Sequence, residues 1–97
     1  MATATIDIQN LLEVTPGFRD GRPHIRGTRV TVHTVAARHL RGDSIDQIAA
    51  SLPHASRAAI YAALTYYHLH RDEIETDLDR DEAEALQAAK EIGAEIV

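Results

Sequence analysis

A mostly α fold of the α+β class is predicted by three features of this sequence. Residues 45–67 carry two runs of helical apolar spacing, each with its own cap residue, separated by a proline break. Residues 18–32 are rich in strand formers and punctuated by Asp20-Gly21, Pro23 and Gly27. Residues 72–97 are densely acidic yet keep an apolar periodicity. The expected architecture is a short N-terminal β-hairpin, a three-helix core containing a helix-turn-helix, and a C-terminal helical arm. Residues 1–71 form the domain in this reading and residues 72–97 the arm.

Each element has a local reason. Residues 1–4 are small and uncapped and are expected to be disordered. Ile6, Ile8, Leu11, Leu12 and Val14 fit a strand or a short turn of helix, and Thr15-Pro16-Gly17 closes that segment with a turn signal. In the following run Asp20-Gly21 is a hairpin-type dipeptide, Pro23 is tolerated at an edge, and Ile25, Val30 and Val32 favour strand. Gly27 interrupts it at a bulge or second turn that requires positive φ. The first core helix is expected from its cap, Thr31, to Leu40, with Val32, Val35, Ala36 and Leu40 inward and Gly42 as the stop. Arg38 and Arg41 then project outward, where they favour the helix dipole.

Ser44 and Gln47 form a capping box for the second helix, whose Ile45, Ile48, Ala49 and Leu52 share a face. Pro53 ends it, because the residue before a proline avoids helical geometry. Ser56 caps the third helix, which buries Ile60, Ala63, Leu64 and Tyr67 and turns Ala58, Ala62, Thr65 and Leu69 the other way. Such a pair is either a helix-turn-helix, which lays its second helix in the DNA major groove, or an α-hairpin within a small core. In the tail, Ile74, Leu78, Leu86, Ala89, Ile92 and Ile96 lie among acids, and Asp79 with Glu82 offers a capping box for a helix over residues 80–92.

Apolar residues make up 44% of the 97 positions and aromatic residues only 4%, so Ile, Leu, Val and Ala must do most of the packing. No apolar run approaches the roughly 18 residues of a membrane span, and no basic-then-apolar leader opens the chain. A soluble, cytoplasmic protein is therefore expected. The absence of cysteine excludes disulfides and thiolate ligands. The net charge of −5 hides a strong segregation. Six arginines stand against one acid, Asp20, between Arg19 and Arg41, whereas ten acids stand against Arg80 and Lys90 from Asp72 onward. Either the basic half serves an anion and the acidic tail something basic, or the two neutralise each other within a dimer.

The run GRPHIRGTRVTV, followed by LRGDSIDQIAASLPHASRAAIYAALTYY, resembles the small bacterial family catalogued as domain of unknown function 433. The positions that carry the resemblance are Gly21, Pro23, Ile25, Gly27, Thr28, Arg29, Val32, Gly42, Ser44, Ile48, Pro53, Ala63 and Leu64. It covers roughly residues 18–70 and does not extend to the tail. The resemblance implies a winged-helix-like or helix-turn-helix fold. It also implies a role as an antitoxin paired with a PIN-like ribonuclease toxin.

DNA binding needs cations for phosphates and polar groups for base edges. Arg19, Arg22, Arg26, Arg29, Arg38, Arg41 and Arg57 are the phosphate candidates, and Ser56, Arg57 and Tyr61 the base-edge candidates. The outward face of the third helix is poor in base-reading residue types, which favours a packing role for it, in a homodimer seam or partner groove. Arg29 either binds a phosphate or partner carboxylate or clamps carbonyls within its own hairpin or across a dimer. Ile74, Leu78, Asp79, Glu82, Leu86 and Ile92 are the partner-binding candidates, unless the tail packs on its own dimer.

No metal or cofactor is expected. His68 and His70 are two apart and His33 and His39 six apart, so neither pair shares a helical face. Asp77, Asp79 and Asp81 imitate the opening of a calcium loop, but Glu82 stands where glycine is needed and Ala88 where the bidentate glutamate is needed. Without cysteine or a Gly-x-Ser-x-Gly elbow, catalysis is not expected either. The expected function is an antitoxin that neutralises its toxin through the acidic arm and represses its own operon, as a homodimer on operator DNA, through the basic half. The alternatives are a stand-alone DNA-binding regulator and a purely structural interaction module.

Overall fold

The computed structural model describes residues 8–96, so the expectations for residues 1–4 and Ile6 lie outside the described residues. A 3-10 turn at Ile8–Leu11 leads into strand β1 (Leu12–Glu13), which pairs antiparallel with β2 (His24–Ile25). Leu12 faces Ile25 and Glu13 faces His24. Helices α1 (Val32–Leu40), α2 (Ile45–Ser51), α3 (Arg57–Leu69) and α4 (Arg71–Ile96) follow. The mostly helical α+β architecture, with a short two-stranded N-terminal hairpin ahead of the helices, is as expected.

A two-residue ladder is marginal alone, so side chains must hold it. The His24 ring, 4% exposed, bonds from Nε2 to the Thr15 hydroxyl at 3.0 Å and from Nδ1 to the Thr28 carbonyl at 2.9 Å. Gly27, at φ +76°, makes the second turn that the sequence anticipated, closed by Thr28 N–H donating to the Ile25 carbonyl. Beyond it Ile25 N–H donates to Val30 and Val32 N–H to Pro23, so the chain doubles back directly into α1. Asp20-Gly21 is not a hairpin turn: it lies in a 3-10 turn, Arg19–Gly21, in which Arg19 and Asp20 both have positive φ. Val32, expected in the strand run as well as in the helix, is the first residue of α1.

The caps predicted for α1, α2 and α3 form. Thr31 accepts from Thr34 N–H, Ser56 from Ala59 N–H, and Ser44 with Gln47 closes a reciprocal capping box. Each replaces an orphan amide partner and is worth about 1 kcal/mol. Gly42, at φ +100°, ends α1.

The core runs through Val32, Val35, Ala36, Ile48, Ile60, Ala63, Leu64 and Tyr67, joined by Ile25 from the hairpin and Ile74 from α4. Helix α3 is its centre, packing on α1, α2, α4 and both strands. That crowding explains why Ala62, expected on the outward face, is buried. The exposed face of α3 is instead Arg57, Ala58, Tyr61, Thr65, His68 and Leu69. Leu40, expected inward, is 50% exposed. Eight positions beyond Val32 it has turned about 80° away from that residue, to the edge of the buried stripe.

The tail departs most from expectation. Helix α4 begins at Arg71, separated from α3 only by the cap residue His70, and runs unbroken through Asp79 and Glu82. No helix starts at the proposed Asp79/Glu82 box, because Ile74, buried to 1% exposure, and the half-buried Leu78 have already docked the preceding turns. Contacts with the preceding elements reach Asp81, which bonds Arg22 ten positions beyond the division expected after residue 71.

Candidate functional site

Three hydrogen-bonded groups anchor the first three turns of α4, on Glu75, beside Ile74, and on Asp77 and Asp81, which follow Ile74 and Leu78 at i+3. The Tyr67 hydroxyl donates to Glu75 at 2.6 Å, and Arg71 Nε donates to the same oxygen at 2.8 Å. These two donors, Tyr67 first, hold the Glu75 carboxyl below its usual range, while burial above all pushes the Tyr67 phenol up. His33 Nε2–H donates to Asp77 at 2.9 Å, and Arg80 donates to the other Asp77 oxygen at 2.7 Å. The His33 bond is the main reason that Asp77 sits below the ordinary carboxylate range. Arg22 grips both oxygens of Asp81 at 2.7 and 3.0 Å, which lowers the Asp81 carboxyl and raises the guanidinium.

From Glu82 to Ile92 every α4 residue is exposed, including Leu86 at 57% and Ile92 at 59%. At 1.5 Å per residue the helix past Asp81 extends roughly 20 Å. The stripe that docks it, Ile74, Leu78 and Asp81, continues at the same three- and four-residue spacing through Ala85, Ala88 and Ile92. One face of α4 is therefore spent on the core in its first half and exposed from Glu82 to Ile92.

Where Arg22 meets Asp81, a cleft of about 520 Å3 opens between the Arg19–Gly21 turn, α1 and α4. Arg19, Arg22, Arg38 and Arg41 line it, with Asp20 and Asp81 as the lining acids and Ala37 and Leu78 as an apolar wall. Arg41 makes three hydrogen bonds with Asp43 at 2.9–3.1 Å, which hold the Asp43 carboxyl down, whereas Arg38 stands 3.8 Å from the same carboxylate. Arg19 lies over the Phe18 ring, 5.7 Å from its centre. His33, 5% exposed, also lines the cleft, and its Nδ1 is buried without a hydrogen bond among the described residues.

Of the DNA-binding candidates, Arg22, Arg38 and Arg41 thus share one cleft with Arg19. Arg26 and Arg29 stand apart, exposed on the Gly27 turn, with no ion pair among the described residues. Arg29 does not clamp that turn; Thr28 does, its hydroxyl donating to the Ile25 carbonyl at 2.9 Å and accepting from Val30 N–H at 3.0 Å. Arg57 is held by Asp46 of α2 at 2.6 Å, Ser56 is occupied in capping α3, and Tyr61 is 55% exposed. Of the partner-binding candidates, Asp79, Glu82, Leu86 and Ile92 are exposed. Ile74 is corrected to a core residue and Leu78 to the cleft wall. Asp77 and Asp81 were missed as anchors, although their i, i+4 spacing beside Ile74 and Leu78 marks the same face. Among the described residues no cluster of metal-ligating side chains occurs, and no helix is long and apolar enough to cross a membrane.

No curated protein matches the chain. The crystal structure of a DUF433 member protein from Anabaena variabilis ATCC 29413 is similar to it, with a TM-score of 0.68 at 29% identity over 74% of this chain and 71% of that one. A family profile described as protein of unknown function (DUF433) matches residues 12–67, which run from β1 to the last buried residue of α3. With more than half its length so matched, the chain belongs to the DUF433 family.

Proposed function

We propose that the chain is the antitoxin of a bacterial type II toxin–antitoxin pair, a cytoplasmic binding protein without catalytic activity that neutralises a PIN-like ribonuclease toxin. The observation that supports this reading is the division of α4 at Asp81. The half before it is welded to the core, and the half after it presents Glu82, Leu86 and Ile92 to solvent on a helix that nothing in this chain covers among the described residues. An isolated helical segment of this length is marginal in water, so an acidic, amphipathic one is suited to a basic groove on a partner. Repression of its own operon is the second half of the proposal. Arg26 and Arg29, exposed and free of ion pairs among the described residues, are the phosphate contacts that cost least to commit, because Arg22, Arg41 and Arg57 must first leave Asp81, Asp43 and Asp46. In the homodimer the exposed stripe of α3, from Arg57 to Leu69, faces the second copy.

Co-expression with the product of the neighbouring reading frame, with only this chain tagged, tests the reading. A stable complex with a small nuclease-like protein is expected, and it is lost when residues 82–97 are deleted. The truncation must spare residues 72–81, since removing Ile74 would damage the core itself. Capture unaffected by the deletion would overturn the assignment of the arm. The α2–α3 arrangement and the free Arg26 and Arg29 favour, as a second reading, a regulator acting alone. In that case a homodimer shifts its own promoter DNA, with binding that falls by about 0.9 log unit per log unit of salt for each phosphate neutralised.

A further inference from the structure

We propose that the cleft between the Arg19–Gly21 turn, α1 and α4 binds a small phosphorylated ligand. Its phosphoryl group is held by Arg19 and Arg38, and Arg22 joins them on release from Asp81. The inference is independent of the antitoxin reading.

Four observations carry it. The first is the state of the donors. Arg22 and Arg41 spend guanidinium hydrogens on Asp81 and Asp43; Arg38 stands 3.8 Å from the Asp43 carboxylate, but neither it nor Arg19 donates a hydrogen bond among the described residues while lining the same cavity. Guanidinium groups match phosphate oxygens in bidentate geometry. The second is shape: about 520 Å3 falls within the roughly 300–1,000 Å3 of small-molecule sites, and a concave recess suits a compact ligand better than a convex duplex. The Ala37 and Leu78 wall gives the carbon portion of such a ligand an apolar surface. The third is strain. Arg19 and Asp20 hold φ of 50° and 58°, a left-handed conformation that residues with side chains rarely adopt, and both line the cleft. The fourth is that an internal anion already occupies it. Asp81 sits in the fork of Arg22 as a phosphate would.

Asp81 is also the last anchor before the exposed half of α4. A phosphoryl group that takes Arg22 from it loosens that anchor, so the ligand's presence is transmitted to the arm.

The test is a titration of the full chain, followed through its 1H–15N spectrum, with inorganic phosphate and with phenyl phosphate, against chloride at equal ionic strength. Saturable shifts at the Arg19 and Arg38 Nε–H signals are expected with phosphate and not with chloride. A tighter midpoint for phenyl phosphate identifies a phosphorylated molecule as the ligand; equal midpoints identify free phosphate and overturn the organic half of the proposal. The Arg19→Ala/Arg38→Ala double variant should weaken binding at least 10-fold. Asp81→Asn, which removes the internal competitor, should tighten it about 3-fold or more, while Asp79→Asn, an equal loss of charge on the exposed face of the same helix, should not. Equal tightening by both aspartate variants, the absence of saturation, or shifts produced by a DNA duplex and by neither phosphate would each overturn the site. Unchanged circular dichroism of each variant keeps loss of fold separate from loss of ligand.

Discussion

Ile74→Ala should destabilise the whole domain, because the first half of α4 belongs to the core and not to an arm. Ile74 is 1% exposed and packs into the same cluster as Val35, Ile60 and Tyr67. The substitution removes three carbons, worth about 2.4 kcal/mol at about 0.8 kcal/mol per buried methylene. The cavity left behind raises the loss to about 3 kcal/mol. For a domain near 100 residues, each kcal/mol lowers the melting temperature by roughly 4–8 °C, so a fall of about 12–24 °C is expected. Urea unfolding of the full chain measures it, with Ile92→Ala as the internal control. Ile92 is 59% exposed, and its replacement should stay within about 0.5 kcal/mol of wild type. A loss below about 1 kcal/mol at Ile74, or equal losses at both positions, would refute the docking of α4 and restore a division after residue 71.

Three further outcomes follow from the same contacts. Asp77 and Asp81 titrate in the folded chain below their usual value, so between the two values the unfolded chain binds more protons. Their contribution is complete above about pH 5 and is lost as pH falls through the depressed folded values; acid unfolding followed by circular dichroism should be less steep in Asp77→Asn/Asp81→Asn than in wild type. Ser44→Ala removes the hydroxyl that accepts from Gln47 N–H, while the backbone N–H of residue 44 can still donate to the Gln47 side chain, and should cost about 1 kcal/mol in stability, read from the denaturant midpoint. Gly27→Ala meets no atom within 4 Å, so its cost is purely conformational, about 1–2 kcal/mol from the left-handed φ, and a neutral result would mean that the turn relaxes.

The helical half of the fold was legible because its signals are local. Ser44, Ser56 and Thr31 sit one residue ahead of apolar periodicities, and a cap with its stripe fixes where a helix begins and which side is buried. The loop over residues 14–23 was not, since nothing local requires Arg19 and Asp20 to take positive φ. The start of α4 was misplaced for a related reason. A sequence capping box at Asp79 and Glu82 competes with long-range docking by Ile74, Tyr67 and His33, and tertiary packing outweighs a cap of about 1 kcal/mol. The basic cleft was half visible. The arginines were evident as a charge run, but their convergence depends on Asp81 arriving from 59 positions away. The charge segregation is plain in the sequence; that Asp81 of the tail pairs with Arg22 of the same chain is not.

The division of α4 at Asp81 bears most directly on the whole account, and amide hydrogen exchange along that helix measures it, in the free chain and in the co-expressed complex. The account predicts protection close to the global value over residues 74–81 and rapid exchange from residue 84 onward in the free chain, with protection of that second half appearing only in the complex. Uniform protection through residue 92 in the free chain would show that the arm is already covered by a second copy, and no protection before residue 81 would show that α4 does not dock at all.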